Sequence, residues 1–581
     1  MTLIYDIETK TQGRPNPKID EYKVFGYYDV DADKKGVIFN DIDAVKKLIR
    51  KHKILIGFNN KNYDNPILER VGINFNYHII IDLYQIFKNK AGIMGLNLKS
   101  YSLANIAKHL KFSEKEEGFD YDILKKDEWT ESEKEKIKKY TIQDIIVTAE
   151  LWNYVKDFFE PFKDFINEKD AENFKHVTLS SGAYAYKVIC KEVGMEEKYG
   201  NIYGHEKYKG GYVATPSVEL SKGKIYCLDF NSQYPHSYIQ GNLFSNNCTC
   251  CTENEKYKGG HLFKLKGKYC TKKQGKIEGV IKKLYKLRQQ YKKENDPREY
   301  TIKIIINTMY GVCGNPNFVN LYNVNTASDC THISRTCIKL ARKTFKNSGY
   351  NVIYSDTDSV YIEDVRDDEK IMLQIKDDII NKIKSSLPFP EDTYDMGIDE
   401  RIKLLYFPGL KKKNYIFVRE DDTMKIKGLP IKKSNASPLS MLIFEKYIKN
   451  ELIKNGKVKF EPKEIKDWIY EELQKDVSLA AREFKVMSTS AYKTDSTIQS
   501  QISLRYGPGQ HNLIPNIFGV GVGRGKGYCT VKEFKDGDLK INAIELSKTF
   551  SELNPFSTLD MNEMYISKSG NKVINTLARW M

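Results

Sequence analysis

The alternation of apolar and polar positions in the first part of the chain predicts strands and helices that follow one another. Four short apolar runs have the length and residue types of strands, at residues 3–7, 23–28, 36–39 and 54–58. Residues 41–52 repeat apolar positions with helical spacing, and Asp41 is suited to cap that helix. Residues 131–155 predict a long helix. This order of elements indicates a mixed α/β domain.

The middle of the chain predicts one strand, three helices and a strand–turn–strand hairpin. The strand is predicted at residues 224–230 and the helices at 277–294, 299–309 and 333–347. The hairpin centres on residues 355–359, of sequence Ser-Asp-Thr-Asp-Ser, which β-prone apolar residues flank on both sides. Beyond about residue 427, helices are predicted at 439–455 and 462–476, and the tail that follows is rich in strands.

Charge and cysteine content narrow the class of protein. The formal net charge of +16 favours a polyanionic partner such as nucleic acid, although a lysine-rich composition alone is the alternative. Ten cysteines in 581 residues are too few for a disulfide scaffold and indicate a reducing compartment. No apolar run reaches the roughly 20 residues that span a bilayer. We therefore expect a soluble, cytoplasmic protein without a membrane partner.

Carboxylates at the predicted hairpin indicate metal chemistry. Asp356 and Asp358 are two positions apart, so their side chains would share a face of an extended strand. Two like charges repel unless a cation lies between them, and a divalent ion with oxygen ligands suits that position. Asp229 ends the strand predicted at 224–230 and is a third candidate ligand; its alternative role is that of a turn former.

A second group of carboxylates lies in the N-terminal segment. Asp6 and Glu8 share one face of the first predicted strand, and Asp64 follows a later strand. Asp144 lies one helical turn beyond Tyr140. Taken singly, each of these acids is more typical of a solvated surface. Together they could bind two metal ions, which would activate water and stabilise the leaving oxygen of a phosphodiester.

Basic residues between Asp229 and the hairpin of Asp356 and Asp358 form a helical stripe. Lys303, Asn307 and Tyr310 recur at helical spacing, and Arg288 and Lys292 form a similar pair on the preceding helix. A cationic stripe that faces metal-binding carboxylates would suit a triphosphate. A solvated lysine face is the alternative.

A cysteine-containing stretch offers a second kind of ligand. Cys248 and Cys251 have a spacing used by zinc ligands, and His261 and Cys270 follow them. The second half of this set lacks a paired spacing. Reduced structural thiols are therefore the preferred interpretation, and zinc bound by Cys248, Cys251 and Cys270 is the alternative.

These motifs resemble those of the B-family (α-like) DNA polymerases. They occur in that family's order, and the resemblance covers nearly the full length of the chain. Residues 6–8, 60–64 and 140–144 resemble its three proofreading-exonuclease motifs, and Ser102-Leu103 resembles its single-strand-binding element. The later matches are the Tyr-x-Gly-Gly linker at 208–211, the first palm motif at 229–235, the fingers motif at 303–311, the second palm motif at 354–359 and the Lys-x-Tyr motif at 413–415.

The resemblance implies a multidomain α/β fold, with an RNase H-like exonuclease domain and a right-hand polymerase of palm, helical fingers and thumb. It implies an exonuclease domain at 1–185, a palm at 186–255 and 316–426, an insertion with the fingers hairpin at 256–315, and a thumb at 427–581. The implied function is DNA-dependent extension of a primer with dNTPs by two-metal phosphoryl transfer, accompanied by 3′→5′ proofreading.

The resemblance also implies a role for each matched residue. Two Mg²⁺ ions, or Mn²⁺ in their place, would be held by Asp229, Asp356 and Asp358, and the exonuclease metals by Asp6, Glu8, Asp64 and Asp144, with Tyr140 orienting water. The dNTP would be bound by Lys303, Asn307, Arg288, Lys292, Ser232, Tyr310 and Tyr234, the last of which would exclude a 2′-hydroxyl. Primer-template and single-stranded DNA would be contacted by Lys413, Tyr415, Tyr208, Gly210, Gly211, Ser102, Leu103 and Asn60.

The chain also departs from parts of the family. Gln233 stands where the first palm motif usually has Leu, and Thr308 stands where the fingers motif often has Ser. The first exonuclease motif begins at residue 6, so we expect none of the N-terminal domain of many cellular relatives. Short spacings between the motifs argue against protein priming and strong unaided strand displacement. We expect a monomer, with replication accessory proteins as candidate partners.

Three alternatives stay open at the level of sequence. The chain could be a non-catalytic, polymerase-like DNA-binding subunit, a nuclease with an inactive palm, or a polymerase that also starts chains without a primer. Intact carboxylates at both sites argue against the first. The sequence does not distinguish the modes of priming.

Overall fold

The computed structural model describes residues 1–11, 15–96, 98, 100–113, 119–200, 207–429, 431, 436–455, 462–487, 497–507, 509–519, 522–536, 540–542, 563–567 and 572–575. The chain divides into two compact units. Unit 1 comprises Met1–Tyr208, Tyr234–Lys258 and Lys266–Cys330, and unit 2 comprises Lys209–Gln233, Gly259–Leu265 and Thr331–Met581. The domain boundaries implied by the family resemblance stay predictions.

The described strands fall into three sheets. In chain order they are β1 (Thr2–Lys10), β2 (Glu21–Asp29), β3 (Lys34–Phe39), β4 (Ile54–Gly57), β5 (Ile79–Asp82), β6 (Leu220–Phe230), β7 (Asn351–Asp356), β8 (Ser359–Glu363), β9 (Met396–Tyr406), β10 (Tyr415–Arg419), β11 (Met424–Lys427), β12 (Arg482–Val486), β13 (Gly509–Gly519), β14 (Val522–Cys529), β15 (Lys540–Asn542), β16 (Glu563–Ser567) and β17 (Lys572–Asn575).

The described helices are mostly short, and five of them have 16 or more residues. In chain order they are α1 (Ile42–Arg50), α2 (Asp64–Arg70), α3 (Leu83–Lys90), α4 (Leu103–Leu110), α5 (Glu131–Phe159), α6 (Glu168–Glu172), α7 (Lys175–Thr178), α8 (Ser181–Val193), α9 (Gln233–Gly241), α10 (Lys276–Lys293), α11 (Arg298–Cys313), α12 (Val324–Asn347), α13 (Glu369–Ser385), α14 (Pro438–Ile443), α15 (Asn450–Asn455), α16 (Pro462–Lys475), α17 (Ile498–Tyr506) and α18 (Val531–Asp536). Short 3₁₀ turns lie at Tyr121–Lys125, Glu160–Phe165, Pro408–Leu410 and Val477–Ala480, and a π-helical turn at Phe444–Lys449 joins α14 to α15. None of the helices in the described ranges is long and apolar enough to cross a membrane.

The predicted elements are present, with shifted ends. Asp41 caps α1 as predicted, because its carboxylate accepts a hydrogen bond from Ala44 N at 2.9 Å. Thr130 and Glu133 form a reciprocal capping box that begins α5. The helix predicted at 333–347 begins earlier, at Val324. Its first turns are polar, so their helical spacing carries little hydrophobic signal.

The sheet of unit 1 has the strand order β3-β2-β1-β4-β5. β1 pairs antiparallel with β2 and parallel with β4. One face of β1 presents Leu3, Tyr5 and Ile7 to an apolar core that also contains Val45 and Ile49 of α1. Because side chains alternate along a strand, Asp6 and Glu8 lie on the other face.

Unit 2 contains the other two sheets. The first has the order β11-β10-β9-β6-β8-β7, and its neighbouring strands pair antiparallel. Its apolar core includes Ile225, Tyr354 and Phe417. The second sheet runs β12-β13-β15-β16-β17, and β14 pairs with β13. This confirms a C-terminal region rich in strands.

Candidate active sites

The face of β1 that carries Asp6 and Glu8 forms an acidic cluster with Asp144 of α5. Carboxylate oxygens of these three residues all lie within 4.8 Å of one another, and Glu8 and Asp144 are buried. Three carboxylates this close repel unless a cation or protons offset their charge. Hard oxygen ligands on two separate elements suit a divalent cation such as Mg²⁺.

A glycine in β2 lets α5 approach the sheet closely enough to form this cluster. Gly26 pairs with Asp6 across β1 and β2. A Cβ atom at position 26 would lie 2.3 Å from Cγ2 of Thr141, so a side chain there would clash with this residue of α5. Thr141 also donates a hydrogen bond to Glu8 Oε1 at 3.5 Å. The helix that carries Asp144 is therefore held over the two β1 acids.

Asp64 approaches the same strand from the start of α2 and is buried. The loop before it is fixed by Asp82, whose carboxylate accepts a hydrogen bond from Asn59 N at 3.0 Å. Asp64 Oδ1 accepts a hydrogen bond from Ile7 N at 3.2 Å. Burial and the neighbouring negative charge of Asp6 raise the pKa of Asp64 well above its ordinary value. The Asp64 carboxylate thus lies next to the cluster, but it does not belong to the group of three whose oxygens all lie within 4.8 Å of one another.

Tyr140 lies one turn before Asp144, in a group of aromatic residues. Its ring stacks on Phe119 with the ring centroids 4.2 Å apart, and its hydroxyl forms a 2.8 Å hydrogen bond with Tyr121. Burial, together with the charges of Asp144 and Glu8, raises the pKa of Tyr140 far above its ordinary value. The phenol therefore keeps its proton and remains a hydrogen-bond donor. Sequence analysis missed Phe119 and Tyr121, which lie outside any recognisable motif.

The palm carboxylates of unit 2 meet where β6 ends. β6 lies between β9 and β8, and Asp229 pairs with Ser359 of β8. Phe230 N donates a hydrogen bond to the backbone oxygen of Asp358 at 2.9 Å. The strand that carries Asp229 and the turn that carries Asp358 are therefore adjacent, as the sequence predicts.

The turn between β7 and β8 is tight, and a neighbouring segment supports it. Thr357 adopts a left-handed conformation with φ +59°, and its N–H donates to Tyr212 O at 2.8 Å. Val213 forms an antiparallel bridge with Asp356. The predicted hairpin thus gains an extra strand-like edge from the segment just after Gly211. Thr357 also donates to Asp356 Oδ1 at 3.0 Å, which fixes that carboxylate at the rim of the turn.

Lys413 forms an ion pair with Asp356, and its backbone N–H donates to the Tyr354 hydroxyl at 3.0 Å. In the part of the chain that the structure describes, the oxygens of Asp229, Asp356 and Asp358 do not all lie within 4.8 Å of one another. All three side chains are half-buried. A lysine therefore offsets the charge of one acid in this site, whereas the cluster on β1 brings three acids together.

Residues predicted to bind the nucleotide lie mainly in unit 1. Tyr234 stacks on Tyr310 with the ring centroids 4.7 Å apart, so these two predicted residues do meet. Arg288 of α10 forms a 2.7 Å ion pair with Glu299 of α11, which ties the two helices together. The remaining predicted residues of this group in unit 1 are Lys292, Lys303 and Asn307.

A row of basic residues on α12 was missed by sequence analysis. Its members line one cavity together with the start of β7 and are Lys339, Arg342, Lys343 and Lys346. Arg342 Nη1 donates to Ser355 Oγ at 3.2 Å, beside the palm hairpin. Their spacing of three or four residues is the helical signal that could have revealed the row.

Comparison with known proteins identifies the family. The profile of DNA polymerase family B matches residues 163–501, which is more than half of the chain. The chain belongs to DNA polymerase family B. The profile of the RNase H superfamily matches residues 3–156, so an RNase H-like domain precedes the polymerase domain. The fold class predicted from the sequence is confirmed.

Similar proteins include archaeal family members. DNA polymerase 1 of Aeropyrum pernix is 24% identical over 70% of this chain and 46% of its own length. The DNA polymerase of Archaeoglobus fulgidus is 25% identical over 74% and 58%, and DNA polymerase 1 of Pyrococcus abyssi is 25% identical over 78% and 63%. The chain thus spans about half to under two thirds of these relatives.

A solved family B DNA polymerase from the archaeon Pyrobaculum calidifontis shares the fold. The two superpose with a TM-score of 0.52 at 17% identity, over 90% of this chain and 74% of the other.

The departures from the family's palm and fingers motifs are accommodated locally. Gln233 is buried, its Oε1 accepts a hydrogen bond from Ser334 Oγ at 2.7 Å, and its Nε2 donates to Ser334 O at 3.3 Å. A polar side chain at this position is therefore satisfied, which offsets the cost of burying it. Thr308 Oγ1 donates to Ile304 O at 2.6 Å within α11.

Two residues predicted to contact DNA have side chains that face the protein interior. Asn60 is fully buried, and its amide donates to the Tyr5 hydroxyl at 3.1 Å. Tyr415 is 3% exposed, and its hydroxyl forms a 2.8 Å hydrogen bond with Tyr361. Both side chains stabilise the sheets that carry the carboxylates, and their direct contact with DNA stays a prediction.

The other family-motif residues have accessible positions. Ser102 is exposed and caps α4, where Leu103 is the first residue. Arg335 donates to the backbone oxygens of Lys209 and Gly210, which fixes the Tyr-x-Gly-Gly linker beside α12. Ser232 adopts a left-handed conformation with φ +45° just after β6. Tyr208 lies edge-on to the Tyr310 ring at 6.3 Å.

Proposed function

We propose that the chain is a DNA-directed DNA polymerase that extends a primer 3′ end with dNTPs and removes mismatched ends by a 3′→5′ exonuclease. The observation that carries the proposal lies within the family B match. There, β6 and the β7–β8 turn bring the segments of Asp229 and Asp358 together. The acidic cluster on β1, within the RNase H-like match, supports the second activity.

For extension, we assign the metal ligands to Asp229 and Asp358, with Asp356 as ligand or support. The set consists of carboxylate oxygens at one sheet edge, which suits Mg²⁺ or Mn²⁺. The metals, when bound, would lower the pKa of the primer 3′-hydroxyl and neutralise charge on the leaving pyrophosphate. Lys413, which pairs with Asp356, would also meet the phosphate of the primer terminus.

For selection of the nucleotide, we assign binding of the triphosphate to four residues, with Ser232 adding polar contacts. They are Lys303, Asn307, Arg288 and Lys292. The Tyr234–Tyr310 stack would lie under the sugar, where a rigid aromatic surface leaves no room for a 2′-hydroxyl. Because Arg288 is already paired with Glu299, its contact with a phosphate would require that ion pair to open.

For proofreading, we assign the metals to Asp6, Glu8, Asp64 and Asp144. Tyr140 keeps its proton and would orient the attacking water by a hydrogen bond. Ser102 and Leu103 would hold the frayed single strand. We further propose that Tyr208, Gly210, Gly211 and the basic row on α12 follow the phosphates of the duplex. A monomeric state, accessory proteins and a cytoplasmic setting stay predictions.

The reciprocal variants Asp358→Asn and Asp6→Ala test this assignment. On a matched primer-template with Mg²⁺, Asp358→Asn should lose extension and still degrade single-stranded DNA from its 3′ end. Asp6→Ala should do the converse. Loss of both activities in either folded variant would contradict the two-site assignment. Degradation without any extension by the unmodified chain would favour the nuclease alternative.

A further inference from the structure

Four cysteines outside both carboxylate sites come together in unit 1. The Sγ atoms of Cys248, Cys250, Cys251 and Cys270 all lie within 4.8 Å of one another. Cys270 Sγ is 3.3 Å from that of Cys250 and 3.5 Å from that of Cys251. A tetrahedral zinc with bonds of about 2.3 Å to sulfur separates its ligands by about 3.8 Å. The cluster therefore has the size of a four-thiolate site.

Backbone N–H groups donate hydrogen bonds to two of the four sulfur atoms, an arrangement that suits negatively charged thiolates. Lys273 N donates to Cys270 Sγ at 3.3 Å. The N–H groups of Thr271 and Lys272 donate to Cys251. Hydrogen bonds from backbone N–H groups orient metal-bound ligands and stabilise their negative charge. An apolar thiol cluster without metal would gain little from such donors.

Two lysines lie near the cluster. Lys256 and Lys272 both interact electrostatically with Cys251. Each is positioned by an ion pair, Lys256 with Glu253 at 2.8 Å and Lys272 with Glu255 at 2.8 Å. Four thiolates around Zn²⁺ carry a net charge of about −2, which nearby lysines would offset.

The cluster is anchored to the start of α10. Cys270 N donates to Ser245 Oγ at 2.8 Å, and Cys270 O accepts from the buried amide of Asn242 at 2.9 Å. Asn242 Oδ1 in turn accepts from Gly275 N at 2.8 Å, and Gly275 is the residue that caps α10. Whatever holds Cys270 also holds the segment that leads into this helix.

We propose that Cys248, Cys250, Cys251 and Cys270 bind one structural zinc ion. Sequence analysis preferred reduced thiols because His261 and an unpaired cysteine made an incomplete set. The structure supplies Cys250 as the fourth ligand, beside the Cys248, Cys251 and Cys270 that the sequence had offered, and no spacing rule predicts it. Four protein ligands leave no open position, so the zinc has a structural and not a catalytic role. It closes the loop between α9 and α10.

Metal analysis of the full-length protein tests the proposal. Protein prepared without added zinc should contain about one zinc per chain. Cys250 is exposed, so Cys250→Ala removes a ligand with little effect on packing, and zinc retained after washing with a chelator should fall at least about tenfold. Cys190→Ala, at a buried cysteine of α8, is the matched control and should keep its zinc.

A second measurement separates metal binding from folding. Exchange of the metal for Co²⁺ should give the intense visible absorption of tetrahedral cobalt with thiolate charge-transfer bands, and Cys250→Ala should weaken both. The proposal is overturned if the isolated protein contains no zinc and gives no such spectrum. It is equally overturned if two of these cysteines form a disulfide in the isolated protein, or if Cys250→Ala retains zinc as tightly as the control.

Discussion

The two carboxylate sites use the same residue type, but they differ in how much of their geometry exists without metal. On β1 and α5, three acids have oxygens within 4.8 Å of one another, and tertiary packing holds them there. At the end of β6, the backbone segments are adjacent, while Lys413 draws the Asp356 side chain into an ion pair. The first site is preorganised for cations, and the second still has to rearrange one side chain.

This difference indicates how each site would respond to its ligands. A preorganised cluster stores repulsion between its acids, so metal binding relieves that repulsion. A site in which lysine neutralises one acid loses the ion pair when metal and nucleotide arrive together. We therefore expect the exonuclease to saturate at a lower Mg²⁺ concentration than the polymerase.

The largest expected effect is on the rates of excision and extension, because a substitution in one site should change only one of the two rates. Glu8→Gln removes a buried charged ligand from the preorganised cluster, so excision should fall about a thousandfold while extension changes little. Asp229→Asn should do the reverse. Rates of single-turnover excision and of single-nucleotide incorporation measure both. An equal fall of the two rates in a folded variant would erase the distinction between the sites.

Removal of Lys413 tests whether this lysine competes with Mg²⁺ for the Asp356 carboxylate. Lys413→Met frees Asp356 and removes the contact that we propose with the primer, so incorporation should fall about 10- to 100-fold. The Mg²⁺ concentration for half-maximal incorporation should fall as well, because no lysine competes for the carboxylate. The control is Lys412→Met, since Lys412 donates to Val213 O and not to an acid. An unchanged Mg²⁺ requirement in Lys413→Met would count against the competition.

Tyr140 tests the water-orienting role in the exonuclease. Tyr140→Phe keeps the stack on Phe119 and removes the hydroxyl, so excision should fall about tenfold. Tyr121→Phe, which removes only the partner of that hydroxyl, should have a smaller effect. Excision of single-stranded DNA at saturating Mg²⁺ is the measurement. Equal effects of the two changes would assign Tyr140 a packing role.

The smallest expected effect is on how the stability of the folded chain depends on pH, and it comes from Glu278. Burial raises the pKa of Glu278 from 4.5 to about 7, and its carboxyl accepts a hydrogen bond from Phe244 N. The folded chain therefore holds a proton that the unfolded chain releases above pH 4.5. The stability that this group contributes is full below that pH and is lost as the pH rises through about 7.

Glu278→Gln should remove this loss and leave the hydrogen bond from Phe244 N intact. Between pH 5 and pH 8 its stability relative to the unmodified chain should rise by about 1–3 kcal/mol. Thermal unfolding at the two pH values measures the change, with Glu294→Gln at the exposed end of α10 as the control. A pH-independent difference between the variant and the unmodified chain would contradict the prediction.

The sequence predicted those parts of both sites that depend on local pattern. The Asp356–Asp358 turn, the strand before Asp229 and the face shared by Asp6 and Glu8 all follow from short-range periodicity. Contacts made by tertiary packing were not predictable. Nothing local indicates that Gly26 lets α5 approach or that Lys413 meets Asp356.

The burial of two motif residues was also not predictable from the sequence. The family pattern identifies Asn60 and Tyr415 by their type and order, but their orientation depends on the hydrogen bonds that the finished sheets offer, to Tyr5 and Tyr361. The basic row on α12 had a helical signal and was overlooked because it lies outside every motif.

The measurement that tests the central claim most directly uses a primer with a single 3′ mismatch and all four dNTPs. The unmodified chain should first shorten this primer and then extend it to the end of the template. Asp6→Ala should stall or extend the mismatch without shortening, and Asp358→Asn should shorten the primer without extending it. If the unmodified chain extends the mismatched primer without shortening it, or if Asp358→Asn still extends, the account of two separate metal sites is contradicted.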